Sequence, residues 1–227
     1  MSADVPSSRA EALARLKQSV VEVVHEMDRC GLTEGTAGNV SARTAAGEVV
    51  LTPTAMRYPE MAVNDLVVTD LEGRVLAGER PVTTEIELHL ACLRRHSEIR
   101  AVVHTHAVHA SMFAVAQQPI PCVLEEFEYQ IGGDVRVSAY HRTGTTALGD
   151  AVAELLGDRA AALIASHGLV VVGRSPEEAL QLTKVVERAA RIIWGARALA
   201  EPVPLPEPIR REFASAYLER RHAAYPD

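Results

Sequence analysis

The chain contains no apolar run long enough to cross a bilayer, which takes about 20 residues in a helix. Met1 to Arg9 is polar and lacks the apolar core of a secretion signal. Cysteine is scarce. Cys30, Cys92 and Cys122 are far apart and odd in number, which argues against a disulfide framework and fits a reducing cytoplasm. Cys92 falls in an apolar helical pattern and reads as core. Positive charge is in deficit: 23 Lys and Arg stand against 30 Asp and Glu, a formal net charge of −7. That balance argues against nucleic acid as a main partner. An anionic ligand would need a local positive centre, either a metal or a helix N-terminus. There is no internal repeat and no low-complexity segment. The nearest thing to a linker is Glu201 to Pro208, with four prolines in eight residues.

What is present suits one globular domain over residues 1–227: 48% of the residues are hydrophobic and 23% charged. Leu13, Leu16, Val20, Val24 and Met27 have helical spacing, and Gly31 is a natural stop. The small, polar Gly35 to Ser41 reads as a loop leading into a short strand, followed by a turn at Ala45-Ala46-Gly47 and a strand over Glu48 to Thr52. Leu66 to Asp70 and Arg74 to Ala77 read as a hairpin. Thr84 followed by Glu87 has the pattern of a capping box, which predicts a helix over 84–96. A strand over 101–106, a short helix over 108–116, a strand over 135–139 and a helix over 146–156 follow. Two strands flank the turn Ser166-His167-Gly168. Ser175-Pro176-Glu177-Glu178 opens a long helix, and a last helix runs over about 209–221. Long helices at both ends with strands and hairpins between predict an α/β protein whose mixed or antiparallel sheet is covered by helices.

The chemistry gathers at Val103-His104-Thr105-His106. In an extended chain residues i and i+2 share a face, so His104 and His106 present two imidazoles side by side. Such a pair suits a borderline metal such as Zn²⁺. Read alone, it is also what two histidines at a strand's solvated rim look like. His167, in its tight turn, is a third donor, and three histidines leave one coordination position open. Glu85, in the first turn of a helix, is a fourth ligand, a general base, or each in turn; by itself it is an ordinary helix-start acid. His109 reads as supporting or surface. Asn39, Ser41, Thr52, Thr54, Thr83 and Thr84 are small polar residues at loops and helix starts, where free N–H groups can hold a phosphate or serve simple capping.

Taken in order, Gly35 to Arg43, Thr52-Pro53-Thr54, Thr83-Thr84-Glu85, His104 to His109 and His167-Gly168-Leu169 resemble the class II aldolase/adducin family over roughly 13–199, and within it the L-fuculose-1-phosphate aldolase branch. The resemblance implies a three-layer α/β/α fold with a central, largely antiparallel sheet. It also implies a C4 homotetramer with active sites at subunit interfaces. Zn²⁺ (or Mn²⁺ or Co²⁺) would be held by His104, His106 and His167, with Glu85 as resting-site ligand and acid/base. A substrate phosphate would be held by Asn39, Thr54, Ala55, Thr83 and Thr84. Two departures stand out. Ala55 occupies a place that is usually Gly in the family, and a backbone N–H contact survives that change where φ is negative. The family's aldolases place a tyrosine after the Ile-Pro segment; here Ile120-Pro121 leads to Glu125 and Glu126, a pattern similar to the methylthioribulose-phosphate dehydratase branch.

The implied activity is cleavage of a small phosphorylated ketose, such as L-fuculose 1-phosphate, to dihydroxyacetone phosphate and an aldehyde through a metal-stabilised enediolate. Glu125 or Glu126, in an apolar setting that should bury at least one of them, is expected to replace the tyrosine and to reach a neighbouring chain's metal. Dehydration, decarboxylation or epimerisation share the enediolate logic, and an adducin-like interaction module shares the fold.

Overall fold

A computed structural model describes residues 9–223. Seven strands form one sheet: β1 (Asn39–Arg43), β2 (Val49–Leu51), β3 (Val67–Thr69), β4 (Val75–Ala77), β5 (Ala101–Thr105), β6 (Ala161–Ile164) and β7 (Gly168–Gly173). Their order across the sheet is β4-β3-β2-β1-β5-β7-β6, and every adjacent pair is antiparallel. Among the described residues seven α-helices accompany it: α1 (Arg9–Arg29), α2 (Ile86–Arg95), α3 (Val108–Ala116), α4 (Glu125–Ile131), α5 (Thr146–Leu156), α6 (Pro176–Ala196) and α7 (Glu207–His222).

The period-2 alternation of the central strands divides the core in two. In β5, Ala101 and Val103 join a cluster with Val24 and Met27 of α1, Phe113 of α3 and Val186 of α6. Val102 faces the other way, among Leu90 and Leu93 of α2 and Leu148 and Val152 of α5. Both faces of the antiparallel sheet are thus covered, and the architecture is a three-layer α/β/α sandwich with β2, β1 and β5 at its centre. No helix among the described residues is long and apolar enough to cross a membrane.

Most elements lie where the sequence patterns put them. The α6 start is as expected: the Glu178 amide donates to the Ser175 hydroxyl at 3.2 Å. Two expectations change, and one helix is added. The capping box at Thr84 does not form; the helix begins at Ile86 with Glu85 as N-cap, which frees the Glu85 carboxylate for other partners. Residues 135–139 make isolated bridges, Val135 to Ile120 and Val137 to Leu163, because their neighbours run past them without a continuous ladder. The acidic stretch after Leu124 is helix α4, anchored by buried Phe127 and Ile131 and by Glu128, whose carboxylate accepts from Arg210 of α7 at 3.1 Å.

Candidate metal centre

The centre lies at the C-terminal end of β5, on the face covered by α2 and α5. Register fixes it: His104 stands opposite Asn39 of β1 and Val170 of β7. His104 is fully buried, and its Nδ1–H donates to the Leu169 carbonyl at 3.0 Å. That bond places the proton on Nδ1 and leaves the Nε2 lone pair facing inward, as a metal-ligating imidazole requires. His106 follows one residue beyond the strand. His167 is carried by the β6–β7 turn, in which Ser166 takes a left-handed φ of 56°. Gly168 lets β5 and β7 close around the histidines: a Cβ there would lie 2.4 Å from the Thr105 carbonyl oxygen and 3.1 Å from His106 Cδ2.

The three imidazoles converge, with ligand atoms within 4.8 Å of one another. From the N-cap of α2, Glu85 Oε2 lies 3.4 Å from His104 Nε2 and Oε1 lies 3.7 Å from His167 Nε2. Glu85 Oε1, His104 Nε2 and His106 Nε2 are buried without a hydrogen-bond partner. Orphaned acceptors of this kind are costly unless something electropositive joins them. Burial pulls His104 down to about 3 and lowers His106 as well, so both imidazoles are neutral at pH 7 and have lone pairs to give. Burial alone would push the Glu85 carboxyl up, yet it is held below its ordinary value: His104 attracts it where that ring is protonated, and the Asn39 hydrogen bond favours the ionised form when His104 is neutral. Three neutral nitrogens and one carboxylate, aimed at one point, fit a divalent cation.

The expected phosphate groups are partly brought together. A bridge between Pro53 and Val82 lays the 52–55 loop beside Thr83 and Thr84. Several of their groups are already committed, however. The Thr54 amide donates to the Pro81 carbonyl at 3.0 Å, the Thr83 amide to the Thr52 carbonyl at 3.3 Å, and the Thr83 hydroxyl accepts from the Glu85 amide at 3.3 Å. Thr84 and Ala55 are exposed. Ala55 has a φ of +55°, so the negative φ that would accommodate alanine easily is not present; the loop keeps the left-handed geometry that favours glycine, at a cost of about 1 kcal/mol. Asn39 and Ser41 lie in β1 rather than in a loop, and the Asn39 Nδ2–H donates to Glu85 Oε2 at 2.8 Å.

Glu125 and Glu126 correct the burial expected for them. Both are exposed at the start of α4, and Glu126 pairs with Arg188 at 2.5 Å. The buried carboxylate of that segment is Glu128 instead. Sequence reasoning also missed three residues around the centre. Glu187 accepts from the amides of His109 and Ala110 at 3.0 and 2.9 Å, capping α3 just after His106. Tyr58, buried beside the centre, donates its O–H to the Gly38 carbonyl. His89, fully buried in α2, bonds Asn39 and Ser41. A histidine inside an apolar helical stripe was the signal for it.

A sheet sandwiched between helices, with three histidines and a helix-start glutamate meeting at one strand end, defines a class before it defines a protein. Residues 18–194 match the class II aldolase and adducin N-terminal domain, and the chain belongs to that family. It is 33% identical over 196 residues to a 5-deoxy-D-ribulose 1-phosphate aldolase of Bacillus thuringiensis serovar kurstaki, covering 86% of this chain and 92% of that one. It is also 33% identical over 195 residues to a 5-methylthioribulose-1-phosphate/5-deoxyribulose-1-phosphate aldolase of Rhodospirillum rubrum, covering 84% and 86%. Among solved structures, an L-fuculose 1-phosphate aldolase superposes with a TM-score of 0.86 at 29% identity, over 89% of this chain and 96% of that one.

Proposed function

We propose that this protein is a metal-dependent aldolase that cleaves a small ketose 1-phosphate, of the L-fuculose or 5-deoxyribulose kind, into dihydroxyacetone phosphate and an aldehyde. The observation that carries the reading is the meeting of His104, His106 and His167 with a glutamate oxygen that has no hydrogen-bond partner. A divalent cation held by those histidines, with Zn²⁺ the first choice and Mn²⁺ or Co²⁺ next, supplies Lewis-acid polarisation of the substrate carbonyl.

The chain's own residues do the rest. Asn39 holds Glu85 Oε2, and Oε1 is left to carry a proton. When the C–C bond breaks, its electron pair stays on the carbon beside the carbonyl, and Glu85 delivers a proton to the resulting enediolate; in condensation it removes that proton. The hydroxyl at the other end of the broken bond loses its proton as the aldehyde forms. Glu125 or Glu126 of a neighbouring chain is assigned that proton. Thr84, Ala55, Thr54, Thr83 and Asn39 are assigned the phosphate, with the start of α2 supplying the favourable dipole.

The assembly is read as a homotetramer with sites at subunit interfaces. Its support is the exposed apolar face of α3, Val108, Met112 and Val115, beside His106 and His167. The free cysteines among the described residues support a reducing, cytoplasmic setting for a single domain. Metal-loaded protein offered dihydroxyacetone phosphate with a panel of aldehydes should yield condensation products. Loss of water from a ketose phosphate without C–C cleavage would instead favour the dehydratase reading suggested by glutamate at 125 and 126.

A further inference from the structure

Behind the candidate metal centre runs a chain of three buried side-chain contacts. His89 Nδ1 lies 2.7 Å from Ser41 Oγ, and His89 Nε2 lies 2.5 Å from Asn39 Oδ1. Asn39 Nδ2 in turn donates to Glu85 Oε2 at 2.8 Å. All four residues are buried, and His89 and Ser41 fully so.

The direction of this chain follows from its last member. An ionised carboxylate only accepts, so Asn39 must present its NH₂ to Glu85. Its carbonyl oxygen then faces His89, and that oxygen also only accepts. Nε2 of His89 must therefore carry the proton, and Nδ1 must accept from the Ser41 hydroxyl. Burial lowers His89 to about 4, which leaves it one proton to place at pH 7. With that proton on Nδ1, two lone pairs would face each other across 2.5 Å, or the amide would turn and set its oxygen against the Glu85 carboxylate. Either arrangement leaves buried polar atoms unsatisfied.

We propose that His89 is a positioning residue: carrying its proton on Nε2 and backed by Ser41, it fixes the orientation of the Asn39 amide and, through it, the carboxylate of Glu85. The proposal rests on reading Glu85 as metal ligand and proton carrier.

Its test has two arms. The first is a long-range ¹H–¹⁵N spectrum of the intact, ¹⁵N-histidine-labelled protein at pH 7, with the His89 signal assigned by its loss in His89→Gln. The expected result is a neutral Nε2–H imidazole; an Nδ1–H tautomer or an imidazolium overturns the proposal. The second compares His89→Gln with His89→Leu. Glutamine offers an amide N–H to Asn39 and a carbonyl to Ser41, while leucine offers neither. Zinc affinity, titrated against a chromophoric chelator, should weaken in His89→Leu and recover in His89→Gln. Cleavage of the ketose phosphate should fall about tenfold or more in the leucine variant, the effect of one lost charge-assisted hydrogen bond, and be largely restored by glutamine. Equal zinc affinity and turnover in both variants overturns the proposal. If His89→Leu does not fold, the tautomer decides. If the wild type cleaves no ketose phosphate, the functional reading fails, and the tautomer and the zinc titration still decide the role of His89.

Discussion

The two ends of the proposed proton path are built in opposite ways. Glu85 is 6% exposed, held by Asn39 and framed by three histidines that antiparallel register and a tight turn bring together. Glu125 and Glu126 sit exposed on the first turn of a short helix, and Glu126 is tied to Arg188 and Gln130. The first carboxylate is prepared by its own fold. Among the described residues the second pair lies at the surface of the protomer. An acid/base role there needs a neighbouring chain to remove it from water. On the proposed reading, the metal end of the site would be built by one chain, and the aldehyde end would need a second.

Substitutions at the two ends should separate them. The largest effect is expected at Glu85. Glu85→Gln keeps the shape of the side chain but cannot move a proton, so turnover should drop by roughly a thousandfold with the fold retained. Near-wild-type turnover in steady-state assays would remove Glu85 from the mechanism. Glu125→Gln and Glu126→Gln should cost about a hundredfold in whichever variant carries the second proton transfer, and nothing in the other. Loss of the exposed Glu126–Arg188 pair should change stability by less than about 1 kcal/mol, so unfolding curves distinguish a chemical effect from a structural one. If both single variants and the double variant turn over like wild type, the comparison breaks, and Tyr129, Tyr140 or Tyr217 must be tested. Of these Tyr217 is buried against Gly132, whereas Tyr129 and Tyr140 are exposed.

A smaller effect tests the buried end in the metal-free protein. His89 and His104 have folded pKa values lowered by burial to about 4 and about 3. Below an unfolded value of about 6.5 the unfolded chain takes up protons that the folded chain refuses, so stability is full above that pH and falls as the pH drops towards the folded values. Between pH 6.5 and 5 each histidine should cost on the order of 2 kcal/mol. Urea unfolding at pH 7 and pH 5 measures the loss, and His89→Gln should reduce it.

The sequence carried much of this site in local form. His104 and His106 share a face because strand side chains alternate, and β5 is flanked by apolar, β-branched neighbours that announce it. Ser175-Pro176-Glu177-Glu178 announces α6 just as plainly. The residues that were not legible depend on distant partners. His89 looks like any polar interruption of a helical stripe until folding brings Ser41 and Asn39 to it from 48 and 50 positions away. Helix α4 is not announced locally, because its Glu128 is held by Arg210, 82 positions on. The β-branched alternation of Val135 and Val137 predicts a strand, but a strand needs a continuous partner, and these residues find only single bridges. Ala55 shows the same limit at one residue: its left-handed φ is set by the loop around it and not by its own preference.

The central claim is that His104, His106 and His167 bind a divalent cation. The most direct measurement is elemental analysis of the purified protein beside His106→Ala. The account predicts about one divalent ion per chain, a single site of the three-histidine type, in the wild type and its loss in the variant. Normal metal content in His106→Ala, or none in a wild type that stays metal-free when offered Zn²⁺, Mn²⁺ or Co²⁺, would contradict it.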